Sequence, residues 1–361
     1  MFKIEPRGYA SRFWSIGSPI LALALTVLVT GAIFKSMGRP AGLSVYTFMV
    51  EPLLARNGLS ALAIKAAPLI MIGVGLALCY RANVWNIGAE GQFTLGAISG
   101  GGLALALPDA PFVAIYPAIL VAGVLGGMAW AAISAWLRTS FNANEILTSL
   151  MLTYVAQLVL IYLVTGPWRD PMGFGFPQTA MFSDAATTPI IAPGTRIHLG
   201  CLAAVLVAIA MWLLLSKSVL GFQLRVVGQA PRAARFAGFN KPRLIWVAML
   251  ISGGLAGLAG IFEVSGPVGQ LTTSISPGYG FTGVIVAFLG RLHPIGAIFG
   301  GLLLALSYLG GNSAQIDLGM PNAVTGIFQG ILLFFLLGCD ILILYRIKRV
   351  RPLPSISGAG A

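Results

Sequence analysis

Nine stretches of this chain stay apolar for about twenty residues at a time, and that recurrence limits the fold more than any other feature. A helix rises 1.5 Å per residue, so ~20 apolar residues span the ~30 Å hydrocarbon core of a bilayer. The stretches lie at 16–34, 62–80, 87–107, 112–137, 145–165, 197–215, 244–263, 294–310 and 323–345. Residue usage agrees: 57% of the 361 residues are hydrophobic and 9% are charged, against about 25% charged in a soluble domain. A soluble enzyme, a disordered chain, a secreted disulfide scaffold and a DNA-binding module are all excluded. The expected fold is an all-α polytopic membrane protein.

A further stretch, 280–290, is apolar but only about ten residues long. It cannot cross a bilayer as one helix. It must be a half-helix, a re-entrant segment or part of a broken helix, held where protein or a cavity surrounds it. Counting it as one crossing gives about ten transmembrane segments, and the basic residues test that count. The chain carries 22 Lys+Arg against 10 Asp+Glu, a net charge of +12. With ten crossings, 16 of the 22 basic residues fall on the side of the two termini and 6 on the other. That asymmetry marks the cytoplasmic face. Leaving out the short piece would carry the basic C-terminal end to the outside. Both termini are therefore expected in the cytoplasm. Run 16–34 follows Lys3, Arg7 and Arg12, is long enough to span and has no convincing cleavage site after it, so it reads as a retained helix. The chain then divides into a first helix with an outer segment (1–61), a core (62–345) and a basic cytoplasmic tail (346–361).

Two hydrophilic excursions stand out. Residues 166–196 form an outer loop rich in Pro, Gly and aromatics. Residues 217–243 form an inner loop with six basic residues and helix-forming stretches between Gly and Pro breakers. Blocks 62–165 and 244–345 have similar lengths and enter the membrane from opposite sides, as inverted repeats would. Each holds a Gly-rich interruption, NIGAEGQFTLGAISGGG in one and SPGYGFTGVIVAFLGRLHPIGAIFGG in the other. Paired interruptions of this kind point to a substrate path at the repeat interface. The candidate path residues are Trp85, Asn86, Glu90 and Gln92 from the first region, with Tyr279 and Phe281 from the second. They set a few hydrogen-bonding groups beside aromatic rings.

Each of these residues also has a plainer reading. Asn86 can cap a helix, and Glu90 suits the positive end of the helix dipole. An acid inside an apolar segment is costly and often functional, so Glu90 reads either as structural or gating, or as path-lining. Asn142, Asn144 and Glu145 suit a helix start or a surface that meets a partner. Glu263 falls at an outer helix end, where water is expected to solvate it, and His293-Pro294 marks a turn. Glycines four apart, Gly96–Gly100, Gly123–Gly127, Gly253–Gly257 and Gly296–Gly300, flatten a helix face for close packing in lipid. Cys79, Cys201 and Cys339 sit in apolar runs with no metal-ligand spacing, and neither His198 nor His293 has a ligating partner nearby in sequence.

The sequence has no GxxxxGK[ST] phosphate loop and no clear Asp/Glu/His ladder at the membrane midplane. A carrier without either must borrow its energy, and the basic inner loop is a plausible docking element for the partner that supplies it.

The segments NIGAEGQFTLGA, NEILTSLMLTYVA with GPWRDP and PQT, GFQLRVVGQAPRAARFAGFN, AMLISGGLAGLAGIFEV and SPGYGFTGVIVAFLGRLHPIGA resemble the permease subunits of bacterial ABC importers. The branch is the ribose/branched-chain amino acid permease superfamily, most closely its nucleoside, simple-sugar-type members. The resemblance covers nearly all of 62–345, with the motifs in the family's order. It implies a second permease subunit, identical or paralogous, a cytoplasmic ABC ATPase and an extracytoplasmic binding protein that delivers the ligand. It implies no cofactor in this chain and no enzymatic activity of its own, since ATP and Mg would sit on the ATPase. It also implies a bacterial inner-membrane location. By the same resemblance, Arg225, Gly228, Arg232, Arg235 and Gly238 fall in the stretch that meets the ATPase. Residues 1–60 match poorly. Three readings follow: the permease of an ATP-driven nucleoside importer, with a simple sugar such as ribose as the alternative cargo; a self-contained secondary carrier; or a non-transporting scaffold. The missing midplane charges weigh against the second, and the paired interruptions would serve nothing in the third.

Overall fold

A computed structural model describes residues 2–6 and 12–349. Arg7 and Arg351, both used in the basic-residue count, lie outside the described residues, as does the tail beyond Arg349. Strand β1 (Phe2–Pro6) leads into α1 (Arg12–Ser36), the short helices α2 (Ala41–Met49) and α3 (Glu51–Leu54), and α4 (Gly58–Arg81). Then come α5 (Ala89–Ala106), α6 (Phe112–Phe141), α7 (Glu145–Thr165) and α8 (Leu199–Lys217). The pair α9 (Val219–Gln229) and α10 (Pro231–Phe236) precedes α11 (Lys241–Glu263). The chain closes with α12 (Tyr279–Leu289), α13 (Pro294–Leu318), α14 (Ala323–Leu344) and strand β2 (Tyr345–Arg349).

Eight of these helices are long and apolar enough to cross a membrane, and α5 and α12 correspond to the other two of the ten segments expected. Helix α12 has 11 residues, so the short apolar stretch is a half-helix. Strand β1 pairs antiparallel with β2, which puts both described ends of the chain together, as an even number of crossings requires. That ribbon was not expected from the sequence. Helices α2 and α3 also had no counterpart in the sequence reading, and α13 runs eight residues past the apolar stretch that marked it. Its last two turns carry Asn312, Gln315 and Asp317, which hid them from a hydropathy reading.

Most apolar spans turn much of their surface outward, whereas α4 is buried over 83% of its apolar window and α11 over 67%. These two form the centre of the subunit. Helices α5, α6 and α11 meet through their glycine pairs: a Cβ on Gly96 would collide with Gly257, and one on Gly127 with the Gly253 carbonyl. Such backbone contact favours association in lipid, where the hydrophobic effect supplies no drive between helices.

One end of the bundle collects the basic residues. Trp246 at the start of α11 donates from Nε1 to Thr139 near the end of α6, at 3.0 Å. Arg138 pairs with Glu145 at 3.2 Å across the α6–α7 turn, where Asn142 holds a left-handed φ of 52°. Asn144 caps α7 by accepting from the backbone of Ile146 and Leu147. At the opposite end, residues 166–198 fold back over the bundle: Thr179 N–H donates to Leu271 O at 3.0 Å, and Thr188 N–H to Ser265 O at 2.7 Å.

Candidate functional site

The two interrupted regions meet. Helix α5 is preceded by a non-helical link from Ala82 to Gly88, and α12 by one from Gly269 to Gly278. Both links break the helical ladder and free backbone donors that something in the chain must satisfy. For α12 that partner is Glu90. Its Oε2 accepts the Gly280 N–H at 2.5 Å, and the Ser276 hydroxyl is hydrogen-bonded to the same carboxyl. Ser276 Oγ also accepts from the Gly278 and Tyr279 N–H groups, so three successive donors at the start of α12 are satisfied. Gly280 is required for this approach, because a Cβ there would strike the Glu90 backbone. Glu90 therefore serves the dipole of a helix 190 residues away, while Asn86 Oδ1 accepts from the Gly88 N–H that precedes its own helix.

Asn86 and Gln92 form a reciprocal amide pair at 2.9 and 3.0 Å, and Asn86 also donates to Ser252 Oγ on α11 at 3.0 Å. Both side chains are buried. Tyr279, fully buried, receives a hydrogen bond from Lys65 Nζ at 2.7 Å and lies 3.4 Å from Glu263 Oε1, which itself pairs with Lys65 at 3.4 Å. The expectation that water solvates Glu263 is overturned: it is 4% exposed, and burial at that depth demands the lysine partner. A second chain of bonds joins Thr282, Tyr308, Gln329 and Ser307 across α12, α13 and α14.

Of the six expected path residues, Asn86, Glu90, Gln92 and Tyr279 are thus buried in bonds that tie α4, α5, α11 and α12 together. Only Trp85 (37% exposed) and Phe281 (41%) offer an open face. Trp85 sits near the far end of α12, packed against Tyr80 and Phe288 with ring centroids 5.1 and 6.2 Å away. Lys65, Tyr308, Thr282 and Gln329 were missed. Lys65 had a usable signal, a lone charge two turns inside the run GLSALAIKAAPLIM, which by the rule for charges in apolar segments marks a paired or functional group.

Lys65 also forms part of the wall of a cavity of about 790 Å³ at the end away from the basic residues, together with Ser60, Thr187, Thr188, Arg196 and His198. His198 caps α8, its Nδ1 accepting from Gly200 N–H, and burial holds its pKa below the usual histidine value. At the basic end, a cavity of about 580 Å³ lies between the end of α4, helix α9 and the α12–α13 turn.

Helices α9 and α10 fill the stretch between α8 and α11. Leu224, Val227 and Ala234 face the bundle, while Arg225, Arg232, Arg235 and Phe236 face outward, Phe236 at 93% exposure. Gly228 lies against the end of α4, where a Cβ would collide with the Arg81 carbonyl, and Gly238 ends α10 at a φ of +75°. The segment is a short helical pair held on the basic end, with an exposed aromatic directly after Arg235. Among the described residues no group of three or more His, Cys, Asp or Glu is placed to hold a metal ion.

Residues 58–337 match the family model described as the permease component of branched-chain amino acid transport systems. The chain belongs to that permease family. Three relatives place it within the ribose/branched-chain permease superfamily, in the branch that holds nucleoside and simple-sugar permeases. A glucose ABC transporter permease of Haloferax volcanii is 35% identical over 96% of this chain and 93% of its own length. A guanosine ABC transporter permease of Bacillus subtilis is 30% identical over 75% and 78%. A nucleoside ABC transporter permease of Lactococcus lactis is 25% identical over 88% and 89%. The protein is therefore a multi-pass ABC permease, a transport subunit.

Proposed function

We propose that this permease forms the translocation path of an ATP-driven importer and that its cargo is a nucleoside, delivered from outside by a binding protein. The observation that carries the reading is the balance of the membrane interior. Lys65 and Glu263 neutralise each other, Glu90 is spent on the start of α12, and the Asn86–Gln92 amides are bonded to one another. An anionic cargo would need free cations there, since an unpaired charge in the bilayer interior is costly. The open faces that remain are aromatic, Trp85 and Phe281, and they suit a base that stacks. The guanosine and nucleoside permeases among the relatives point the same way.

The basic end is the cytoplasmic one in this reading, and α9–α10 is the element an ABC ATPase grips. Arg232, Arg235 and the exposed Phe236 present an aromatic anchor beside charges, the composition of an interface hot spot. Two copies of the permease, or this chain and a paralogue, would enclose the path. Charge reversal, Arg232→Glu with Arg235→Glu, should reduce transport and transport-linked ATP hydrolysis and leave membrane insertion intact. Normal coupled hydrolysis in the double variant would reject the role of α9–α10.

One observation favours a second cargo. The relative with 35% identity over nearly the whole chain is a glucose permease, so a simple sugar such as ribose or glucose is the competing reading. Uptake of labelled guanosine, uridine, ribose and glucose by the complete complex separates them, with Phe281→Ala measured alongside wild type. Guanosine or uridine uptake that weakens in Phe281→Ala is expected. Sugar uptake without nucleoside uptake would reject the nucleoside, and unchanged kinetics in Phe281→Ala would remove that ring from the path.

A further inference from the structure

We propose that the cavity at the basic end is a binding site for a phosphate group, held by Arg81, Arg225 and Arg291. Three separate elements bring these arginines to the wall of one cavity of about 580 Å³: the last residue of α4, the middle of α9 and the α12–α13 turn. The cavity has room for a phosphate and the group that bears it. The charges of Arg81 and Arg225 repel, and burial, with the Arg81 charge second, holds the His293 pKa below the usual histidine value. Only Arg291 has a carboxylate partner, Asp340 at 2.9 Å, in a cluster closed by Ser18. Among the described residues no carboxylate lies within ion-pair distance of Arg81 or Arg225. Two positive charges are thus left uncompensated around one cavity.

The fold maintains this convergence against resistance. Gly228 lets α9 touch the Arg81 carbonyl, which carries Arg225, one turn earlier, toward the end of α4. Asn83, Arg291 and Leu292 hold left-handed φ values of 55°, 58° and 52°, and all three line the cavity. Left-handed backbone is unfavourable for residues with a side chain, most of all for leucine, and strain of this kind collects at functional sites. The Arg291 Nε is buried with no acceptor. Unpaired cations around one cavity call for an anion rich in acceptor oxygens. Guanidinium forks match phosphate in geometry as well as charge. The cavity lies between α9, the end of α4 and the α12–α13 turn, and Arg232, Arg235 and Phe236 of α10 are not among its lining residues. The site uses none of the α10 residues that the ATPase is proposed to grip, and the phosphate belongs either to a soluble compound or to an anionic lipid headgroup.

The test is calorimetric titration of the purified full-length chain with inorganic pyrophosphate. It is run in nanodiscs of phosphatidylcholine alone and again with phosphatidylglycerol added. Saturable binding by wild type is expected, weakened at least tenfold by Arg81→Gln and by Arg225→Gln and unchanged by Lys217→Gln, an exposed control at the same end. Each arginine change relieves like-charge repulsion, so the fold should persist, which gel filtration verifies. Equal pyrophosphate affinity in both lipid compositions assigns a soluble phosphate. Loss of that binding in phosphatidylglycerol discs, with this lipid retained through purification by wild type but not by the two variants, assigns a headgroup. Unchanged affinity in both arginine variants overturns the proposal. So does a chain that binds neither source while the same variants lose assembly with the ATPase, since the arginines would then dock a protein carboxylate.

Discussion

Replacing Glu90 tests the central feature of the interior, the joining of two helix starts within the membrane. In Glu90→Ala the Gly280 N–H loses the oxygen that accepts it at 2.5 Å, and the Ser276 hydroxyl loses its acid partner. A buried donor left unmet costs about 1–3 kcal/mol, and removing an acid from a helix N-terminus costs up to ~2 kcal/mol in partly buried geometry. The two effects share one oxygen, so their sum is an upper bound, and a loss of about 2–4 kcal/mol is expected. Glu90→Gln keeps an acceptor oxygen at the same position and should lose about 1 kcal/mol, the difference between a charged and a neutral bond. Unfolding of the purified chain in mixed micelles by added dodecyl sulfate, followed by tryptophan fluorescence, reads these differences directly. Substrate uptake by the complete complex is measured beside it. If Glu90→Ala unfolds within ~0.5 kcal/mol of wild type, the margin of an inert surface change, the carboxyl does not cap α12. If Glu90→Gln keeps its stability but stops transport, the charge itself acts on the path.

The same unfolding assay tests the buried ion pair. Lys65→Met should cost about 2–4 kcal/mol by stranding Glu263, somewhat below the figure for a fully buried pair because Lys65 is 31% exposed. Adding Glu263→Gln should recover most of the loss, and strictly additive single effects would show that the two groups are not coupled. Topology is tested by Met172→Cys and Ala230→Cys in a chain whose Cys79, Cys201 and Cys339 have been replaced. A membrane-impermeant maleimide on intact cells should label the first site only, and labelling of the second alone would invert the orientation.

The ion pair bears on the moving parts of a transporter. Lys65 joins the wall of the cavity at one end to Tyr279 at the start of α12, and the phenol ring of Tyr279 lies edge-on to Tyr308 at 5.5 Å. Gln329 on α14 accepts from Thr282 at 3.1 Å, so the half-helix is bonded to α4, α5, α11, α13 and α14. A shift of α12 would have to exchange several of these bonds at once, and packed interiors with such networks favour discrete arrangements over continuous deformation.

Length and apolarity by themselves determined the class of this protein and nearly all of its crossings, because a bilayer accepts few backbone solutions and each leaves a long apolar run. The helix Glu145–Thr165 was delimited to the residue, since Asn144 and the run after it give a clear start. The half-helix was legible for the same reason: ten apolar residues cannot span. Sequence alone also placed α9–α10 between its breakers and chose Glu90, Tyr279 and their neighbours as unusual. It could not assign their partners. Glu90 suited the start of its own helix, but it caps another 190 residues away, and Glu263 read as solvated until Lys65 was found beside it. Hydropathy records how much of a residue is apolar and where it falls along one helix. Which donor meets which acceptor depends on helices far apart in sequence coming within about 3 Å, and only the tertiary packing, here set by glycines that let backbones touch, fixes that distance.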